Sequence, residues 1–382
     1  MLAIATTHTV HVAVLPHSSE LTTPDSGPVK CKRDFRIGPT THVSETSPLR
    51  AVLWHPLSAN HNCLVTVTEN AEVRLWELNE ENVYHSSEEP TLAIDLLKLQ
   101  EAKSTDDDVK VRPSFTGKRY SADELPVASA CFGGNGKTYA GWPEMTLYIT
   151  TYDGDVYALC PLLPTKFRAV PGAMDSISLE IASKQSALGA DATEAEKYQV
   201  KQQAKWLEEI NGQELQKVVK TRSHEEIEVL NRPSKPDIKP RLQGPFYLSD
   251  DTLEEDERIT DMYVINLQAD STQDEASVGD FRLEDELPES LSAAAIALAT
   301  DQGNVHICLD LEGVGPRWLP SAGRVSCYSS PTPPSSYTNY HRDTRAPRTS
   351  SANFYLMRPS KSSTPRRRSR SPRTPSHHMP SS

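Results

Sequence analysis

One local pattern occurs four times along the 382-residue chain and restricts the possible fold more than any other feature. Each copy has a short β-prone run, a polar turn of two or three residues, and a strand led by valine. The last three turns contain Gly, Asn or Asp, which tolerate the positive φ angles of tight hairpins. The four segments are 5–16, 66–78, 149–162 and 298–311, and their leading valines are Val10, Val73, Val156 and Val305.

Further β-prone segments lie around these hairpins and extend them into larger units. Upstream strands are predicted at 49–56, 126–133 and 292–300, outer strands at 91–99 and 161–170, and another strand at 262–267. Three or four antiparallel strands, repeated with insertions, are typical of a β-propeller blade. The valines are 63, 83 and 149 residues apart, wider than the roughly 40–45 residues of regular WD repeats. We therefore predict an all-β, WD40-like β-propeller over residues 1–320, either incomplete or containing blades that the pattern does not reveal.

Two insertions explain part of the wide spacing. Segment 101–125 is charged and weakly patterned, which indicates a surface loop, and a longer insertion covers about 172–245. Within the second, a helix is predicted at about 193–211, where Thr193 and Glu196 fit a capping box. The apolar residues on one face of this helix are Ala195, Tyr198, Trp206, Leu207 and Ile210. Packing against the side of the propeller and docking of a partner both explain such a face.

The end of the chain differs in composition from the rest. Residues 319–382 contain ten prolines and sixteen serines and finish in a run that includes RRRSRSPR. Because this composition cannot bury enough apolar surface to fold, 321–382 is predicted to be a disordered, basic Ser/Pro/Arg-rich tail. A nuclear-import signal, an RNA-contacting segment, a phosphorylation target and a tail without a function all fit it. An artefact of the gene model also fits, because patterning and charge change abruptly after Trp318.

The charge distribution separates the tail from the body. The formal net charge is -12, while residues 319–382 carry ten arginines and one lysine against one aspartate, a net +10, which leaves -22 for the first 318 residues. An acidic body does not attract nucleic acid by its overall field, so nucleic-acid binding would require the basic tail. No apolar run reaches the roughly 18 residues of a membrane-spanning helix, and a signal peptide is not expected.

Residues that could carry chemistry are few. The segment CFGGNGKT, 131–138, has Cys131 where a phosphate-binding loop needs its first glycine, so we interpret it as a turn. The five metal-ligand candidates, whose spacing does not fit a four-ligand zinc site, are His8, His11, His55, His61 and Cys63. The six cysteines form no C-x-x-C pair and are expected to be free, buried thiols in a reducing compartment. We predict no catalytic, cofactor or metal site and no small-molecule substrate; partner-binding residues stay unknown.

Five segments, taken in their order, resemble the N-terminal β-propeller of the fungal nucleoporin eighty-two family, the counterpart of vertebrate nucleoporin eighty-eight. They include LRAVLWHPLSANHNCLVTVTENAEVRLWEL, TLYITTYDGDVYALCPLLP, KQQAKWLEEI and LQGPFYL, followed by AAAIALATDQGNVHICLDLEGVGPRW. The resemblance runs from about Leu2 to Trp318 and rests on the order of the segments rather than on one diagnostic motif.

The resemblance implies a structural, non-enzymatic nucleoporin on the cytoplasmic face of the nuclear pore complex. It implies binding to other nucleoporins, of the cytoplasmic-filament and FG types, in support of mRNA export and nucleocytoplasmic transport. This chain departs from the family pattern in two ways. The family's C-terminal coiled coil has no counterpart here, and the first blade is expected to lack a strand because the sequence starts almost inside a hairpin. The residues leave two alternatives open: a WD40-like adaptor, such as a ligase substrate receptor, or an RNA-binding protein acting through its tail.

Overall fold

The described strands form five antiparallel sheets. The computed structural model describes residues 1–16, 31–44, 47–79, 87–105, 107, 125–134, 141–170, 172–189, 192–219, 226–246, 257–267, 293–310, 313–320 and 354–357. The strands are β1 Leu2–Ala5, β2 Val10–Val14, β3 Arg33–Ile37, β4 Leu49–Trp54, β5 Cys63–Thr68, β6 Glu72–Glu77, β7 Leu92–Asp95, β8 Val127–Phe132, β9 Leu147–Thr151, β10 Val156–Leu159, β11 Lys166–Arg168, β12 Gln216–Val219, β13 Glu226–Asn231, β14 Leu242–Phe246, β15 Ile259–Leu267, β16 Ala293–Thr300, β17 Val305–Asp310 and β18 Phe354–Met357.

Four of the five sheets are blades, and the fifth belongs to the insertion. The first blade has the order β1-β2-β3, the second β4-β5-β6-β7, the third β8-β9-β10-β14 and the fourth β15-β16-β17-β18. The insertion sheet has the order β11-β13-β12. The helices are α1 Pro39–Ser44, α2 Leu96–Glu101, α3 Ala173–Ala187 and α4 Glu194–Asn211, and a 3-10 helix covers Trp142–Met145. None of the described helices is long and apolar enough to cross a membrane.

The four predicted hairpins are confirmed as β1–β2, β5–β6, β9–β10 and β16–β17. Each turn is closed by a threonine whose hydroxyl oxygen accepts a hydrogen bond, at 3.1–3.2 Å, from the backbone N–H of the residue before the valine. These threonines are Thr6, Thr68, Thr151 and Thr300, and the donors are Thr9, Glu72, Asp155 and Asn304. The turn is therefore specified locally in every blade, by a side chain only three or four positions from its partner.

Consecutive blades pack face to face through apolar side chains. The first and second blades meet through Val10, Val12, Ile37, Leu64, Trp76 and Leu78. The second and third blades meet through residues that include Val65, Val67, Val73, Leu75, Leu147 and Ile149. The third and fourth meet through residues that include Tyr148, Val156, Ala158, Met262, Ile296 and Leu298. The alternation of side chains across each strand thus buries both faces of the second and third blades.

The hairpin register shows which strands of the blade pattern the described part of the first blade contains. Because β1–β2 corresponds to β5–β6, the first blade has the second, third and fourth strands of the blade pattern. Within the described residues it has no counterpart of β4, the strand that lies before the hairpin in the second blade.

Two outer strands differ from the predictions. Strand β7 ends at Asp95, where α2 begins and the Asp95 carboxylate accepts a hydrogen bond from the backbone N–H of Lys98 at 3.3 Å. The prediction that 161–170 supplies the outer strand of the third blade is wrong, because β11 pairs with β13 in the insertion sheet. The third blade is completed by β14, which contains Gly244 and Pro245. Those residues weaken strand propensity, yet proline is tolerated in an edge strand.

Strand β18 lies inside the segment predicted to be disordered. Phe354–Met357 pairs antiparallel with β17 and completes the fourth blade, a strand that the sequence analysis did not predict. A strand edge carries unpaired backbone N–H and C=O groups, and a short apolar run can satisfy them even within a polar tail. The rest of 321–382 lies outside the described residues, as does most of the predicted loop 101–125.

Candidate interaction surface

The insertion between β10 and β14 forms a helical layer against the third and fourth blades. Its helix α4 starts with the predicted capping box: the Thr193 hydroxyl accepts from the Glu196 N–H at 3.2 Å, and the Glu196 carboxylate accepts from the Thr193 N–H at 2.8 Å. Trp206 on α4 is buried, and its ring centroid lies 5.1 Å from that of Trp142. This face of α4 packs on the propeller, as one of the two interpretations of the helix predicts.

Helix α4 also holds the segment that follows the fourth blade. The buried Gln203 side chain donates to the Pro316 carbonyl at 3.1 Å, and Gln202 donates to the Leu319 carbonyl at 3.4 Å. Trp318 is buried in the same apolar cluster as Trp206. These contacts join residues more than a hundred positions apart, and they hold α4 on the body of the protein.

A groove runs between α3 and α4 on the outer side of this layer. It has a volume of about 470 Å³ and is mostly apolar; its lining residues are Ser178, Ile181, Ala182, Gln185, Ala204, Leu207, Glu208, Asn211 and Gly212. Next to these on α3 is Leu179, which is 67% exposed. The half-buried Glu180 and the exposed Lys184 on the same helix form an ion pair at 2.5 Å. An apolar surface with charged groups at its border is the usual composition of a protein-binding surface.

Sequence reasoning missed this groove because it missed α3. The buried residues of α3 include Ala173, Ile177 and Ile181, which are four positions apart, a spacing that places them on one helix face. This periodicity was available in the sequence. The opposing wall of the groove is on α4, and no local pattern indicates that the two helices lie side by side.

The fold separates the first-blade candidates His8 and His11 from His55, His61 and Cys63, which belong to the second blade. Within the second blade the His55 backbone N–H donates to the Cys63 carbonyl at 2.9 Å. His55 is buried, its Nε2 is 2.9 Å from the Leu162 carbonyl, and its Nδ1 accepts from the Leu57 N–H at 3.1 Å. Cys63 is buried on β5, whereas His8 lies in the β1–β2 turn. Among the residues that the structure describes, no group of three or more His, Cys, Asp or Glu side chains is arranged to hold a metal ion.

His55 makes the stability of the protein depend on pH. Burial lowers the pKa of its imidazole to about 4, from a model-peptide value of 6.5, against the opposing effect of the Leu162 carbonyl. Between these pH values the unfolded state binds more protons, so the free energy of unfolding should fall by about 3 kcal/mol as the pH is lowered from 6.5 to 4. Urea denaturation at several pH values measures this fall. The free energy of unfolding of the His55→Gln variant, whose amide does not titrate in this range, should fall less over the same pH interval. Equal falls in the parent and the variant would contradict the assignment of this pH dependence to His55.

Three of the described cysteines are poor nucleophiles because their thiols are shielded from solvent. Burial raises the pKa of the thiols of Cys131, Cys160 and Cys308 to about 12, so they stay protonated at neutral pH. The described cysteines are free, as expected, but Cys31 is exposed rather than buried. Cys131 also opens the segment 131–138; it lies on β8, and residues 135–140 are outside the described part of the chain.

Comparison with protein families gives a match over most of the chain. The family model of the nucleoporin NUP82 β-propeller matches residues 1–351, which is beyond Trp318, where the sequence resemblance was expected to end. Nucleoporin NUP82 of Chaetomium thermophilum is 40% identical over 358 residues, which cover 91% of this chain and 40% of the relative. Nucleoporin nup82 of Schizosaccharomyces pombe is 26% identical over 232 residues, which cover 56% of this chain and 25% of the relative. The chain thus spans less than half the length of these relatives.

Solved structures give the same result. The crystal structure of the Chaetomium thermophilum heterotrimeric Nup82 NTD–Nup159 TAIL–Nup145N APD complex matches with a TM-score of 0.73 and 36% identity, over 93% of this chain and 60% of that chain. The yeast Nup82–Nup159–Nup116 complex matches with a TM-score of 0.52 and 15% identity, over 83% of this chain and 59% of that chain. The second match supports the fold alone.

Proposed function

Because the chain belongs to the nucleoporin NUP82 β-propeller family, we propose that it is a structural nucleoporin that binds other nucleoporins. We infer that it acts at the cytoplasmic face of the nuclear pore complex, in support of mRNA export and nucleocytoplasmic transport. Its role would be that of a scaffold rather than an enzyme. The observation that carries this proposal is the similarity, over 93% of the chain, to a Chaetomium protein solved with segments of two other nucleoporins.

The groove between α3 and α4 is the contact surface that we infer for one such partner. An exposed leucine beside an apolar groove suits a short segment that buries its own apolar side chains there. The helices are held on the propeller by Trp206 and Gln203, so the groove does not have to form on binding. A preformed groove reduces the conformational entropy lost on association.

The proposal is tested by binding of the purified 382-residue chain to the Chaetomium Nup159 TAIL and Nup145N APD segments, measured by calorimetry. We expect binding of at least one segment, and at least roughly tenfold weaker affinity for the Leu179→Asp variant. The matched control is Leu215→Asp, which introduces the same charge at another exposed leucine of the insertion, outside the groove. If the chain bound neither segment, the proposed function would be overturned. Equal effects of the two variants would overturn only the assignment of the groove as the contact surface.

A further inference from the structure

A segment from beyond the fourth blade lies at the point where the insertion leaves the third blade and returns to it. The last pair between β10 and β14 is Leu159 with Leu242. Next to this pair, the main chain of Arg317 lies between the two strands. Its N–H donates to the Cys160 carbonyl at 3.1 Å, and its carbonyl accepts from the Arg241 N–H at 2.8 Å. One distant residue thus satisfies a backbone group at both ends of the insertion.

We call residues 313–320, which include Arg317, the clasp. Three of its carbonyls accept hydrogen bonds from buried glutamine side chains, one on β14 and two on α4. The donor–acceptor pairs are Gln243–Gly315 at 2.9 Å, Gln203–Pro316 at 3.1 Å and Gln202–Leu319 at 3.4 Å. The clasp is therefore bonded to the third blade through β14 and to the helical layer through α4.

Apolar side chains and the second blade complete the attachment of the clasp. Val314 and Trp318 are buried in the cluster that joins α4 to the third and fourth blades. Leu319 is buried in the cluster between the second and third blades. The Pro320 carbonyl accepts from the N–H of Thr105, which follows α2, at 3.0 Å. The clasp thus connects α4 to the second blade as well as to the third.

The insertion sheet is attached to the propeller at a different place from the helices. The Arg168 N–H donates to the Leu57 carbonyl at 2.8 Å, and Ile227 and Val229 pack on Ala59 of the second blade. Helices α3 and α4 instead pack on the third and fourth blades and on the clasp. Helices of 15 and 18 residues depend mainly on such tertiary packing for their stability. The two halves of the insertion are therefore able to open separately.

We propose that the clasp is a conformational device that holds α3 and α4 closed on the propeller. When it opens, the two helices lose their packing together, while the blades and the insertion sheet stay folded. Such an opening needs less free energy than global unfolding, because most of the apolar core stays buried. Since the groove lies between these two helices, it exists only while the clasp is closed. The device concerns the attachment of the helices and does not depend on the proposed nucleoporin partner.

The C-terminal end of α4 has a second attachment, which limits how far the opening extends. The Gln213 side chain, just after α4, donates to the Asn231 carbonyl at 3.0 Å and accepts from the Asn231 N–H at 2.8 Å. These bonds tie the end of the helix to the insertion sheet. We therefore expect the opening to be largest in α3 and in the first half of α4.

Hydrogen exchange of the purified 382-residue chain, measured by mass spectrometry, tests the clasp. Arg317→Pro removes the N–H that donates to Cys160, so exchange in α3 and the first half of α4 should become at least roughly tenfold faster. Exchange in β5, β6 and β13 should change by less than about twofold. Arg317→Ala is the matched control at the same position. It keeps both main-chain hydrogen bonds and should leave all these rates within about twofold of the parent.

Gln243→Leu is a second variant, which leaves the main chain of the clasp and all of α4 unchanged. It removes the donor to the Gly315 carbonyl on the blade side, so faster exchange in α3 and α4 would show that the clasp transmits the change. Near-UV circular dichroism verifies that each variant is folded. If Arg317→Pro does not fold, the result for Gln243→Leu decides.

Three outcomes would overturn the clasp. The first is unchanged exchange of α3 and α4 in the folded variants, and the second is equal acceleration in the helices, the blades and β13. The third is equal acceleration by Arg317→Ala and Arg317→Pro, which would assign the effect to the arginine side chain rather than to the main-chain bridge. Binding of nucleoporin segments is measured separately, so failure of either proposal leaves the other testable.

Discussion

Replacing Trp76 with alanine is expected to lower the free energy of unfolding by about 3–5 kcal/mol. Trp76 is fully buried between the first and second blades, and its Nε1 donates to the Thr66 hydroxyl at 3.0 Å. The ring also lies 5.5 Å from the His42 imidazole, and a Cβ added at Gly38 would be 2.8 Å from its Cη2 atom. Truncation would therefore leave a cavity among rigid neighbours and a buried hydroxyl without its donor. Urea denaturation followed by circular dichroism measures the loss.

Trp76→Phe separates the contribution of apolar burial from that of the hydrogen bond to Thr66. Phenylalanine retains most of the buried apolar area but cannot donate to Thr66, so this variant should lose about 1–2 kcal/mol. A loss below about 1 kcal/mol for Trp76→Ala would contradict the role of this side chain in joining the blades. Trp76 and Leu78 share one buried cluster with Val10 and Val12, which places both side chains between the first and second blades.

Replacing Trp206 with alanine is the second substitution with a large expected effect, again about 3–5 kcal/mol. Trp206 joins α4 to the propeller through a buried contact with Trp142 and through the cluster that contains Tyr148 and Trp318. The loss should be concentrated in the insertion, because the interface between the second and third blades does not include this residue. Hydrogen exchange should show reduced protection of α4 with little change in β5 and β6.

The neighbouring Lys205 provides the matched control for Trp206. Its side chain is exposed on the same helix, so Lys205→Ala should change the free energy of unfolding by no more than about 0.5 kcal/mol. Uniform loss of protection across all blades in Trp206→Ala would contradict a local anchoring role. Because the groove between α3 and α4 depends on this anchor, the same variant should weaken binding of a nucleoporin segment there.

The candidate groove was harder to predict from the sequence than the blades. The capping box at Thr193 and Glu196 and the apolar face with Trp206 identify α4, because both features depend on neighbouring residues in one helix. The groove requires that α3 lie beside α4, and their contact depends on how each packs on the blades. Leu179 in isolation is an ordinary exposed leucine; only its position next to the lining of the groove gives it significance.

The sequence by itself determined the hairpins, because each turn is specified by a threonine and a valine within five residues of each other. It also determined the family, through the order of the segments. Only the tertiary structure decided that β14 rather than β11 completes the third blade, since either segment can satisfy a strand edge and the choice depends on packing between distant residues. The same reason applies to Val10 and Val305. They occupy equivalent positions in equivalent hairpins, yet one is buried and the other exposed, because burial depends on whether another blade lies in front of the strand.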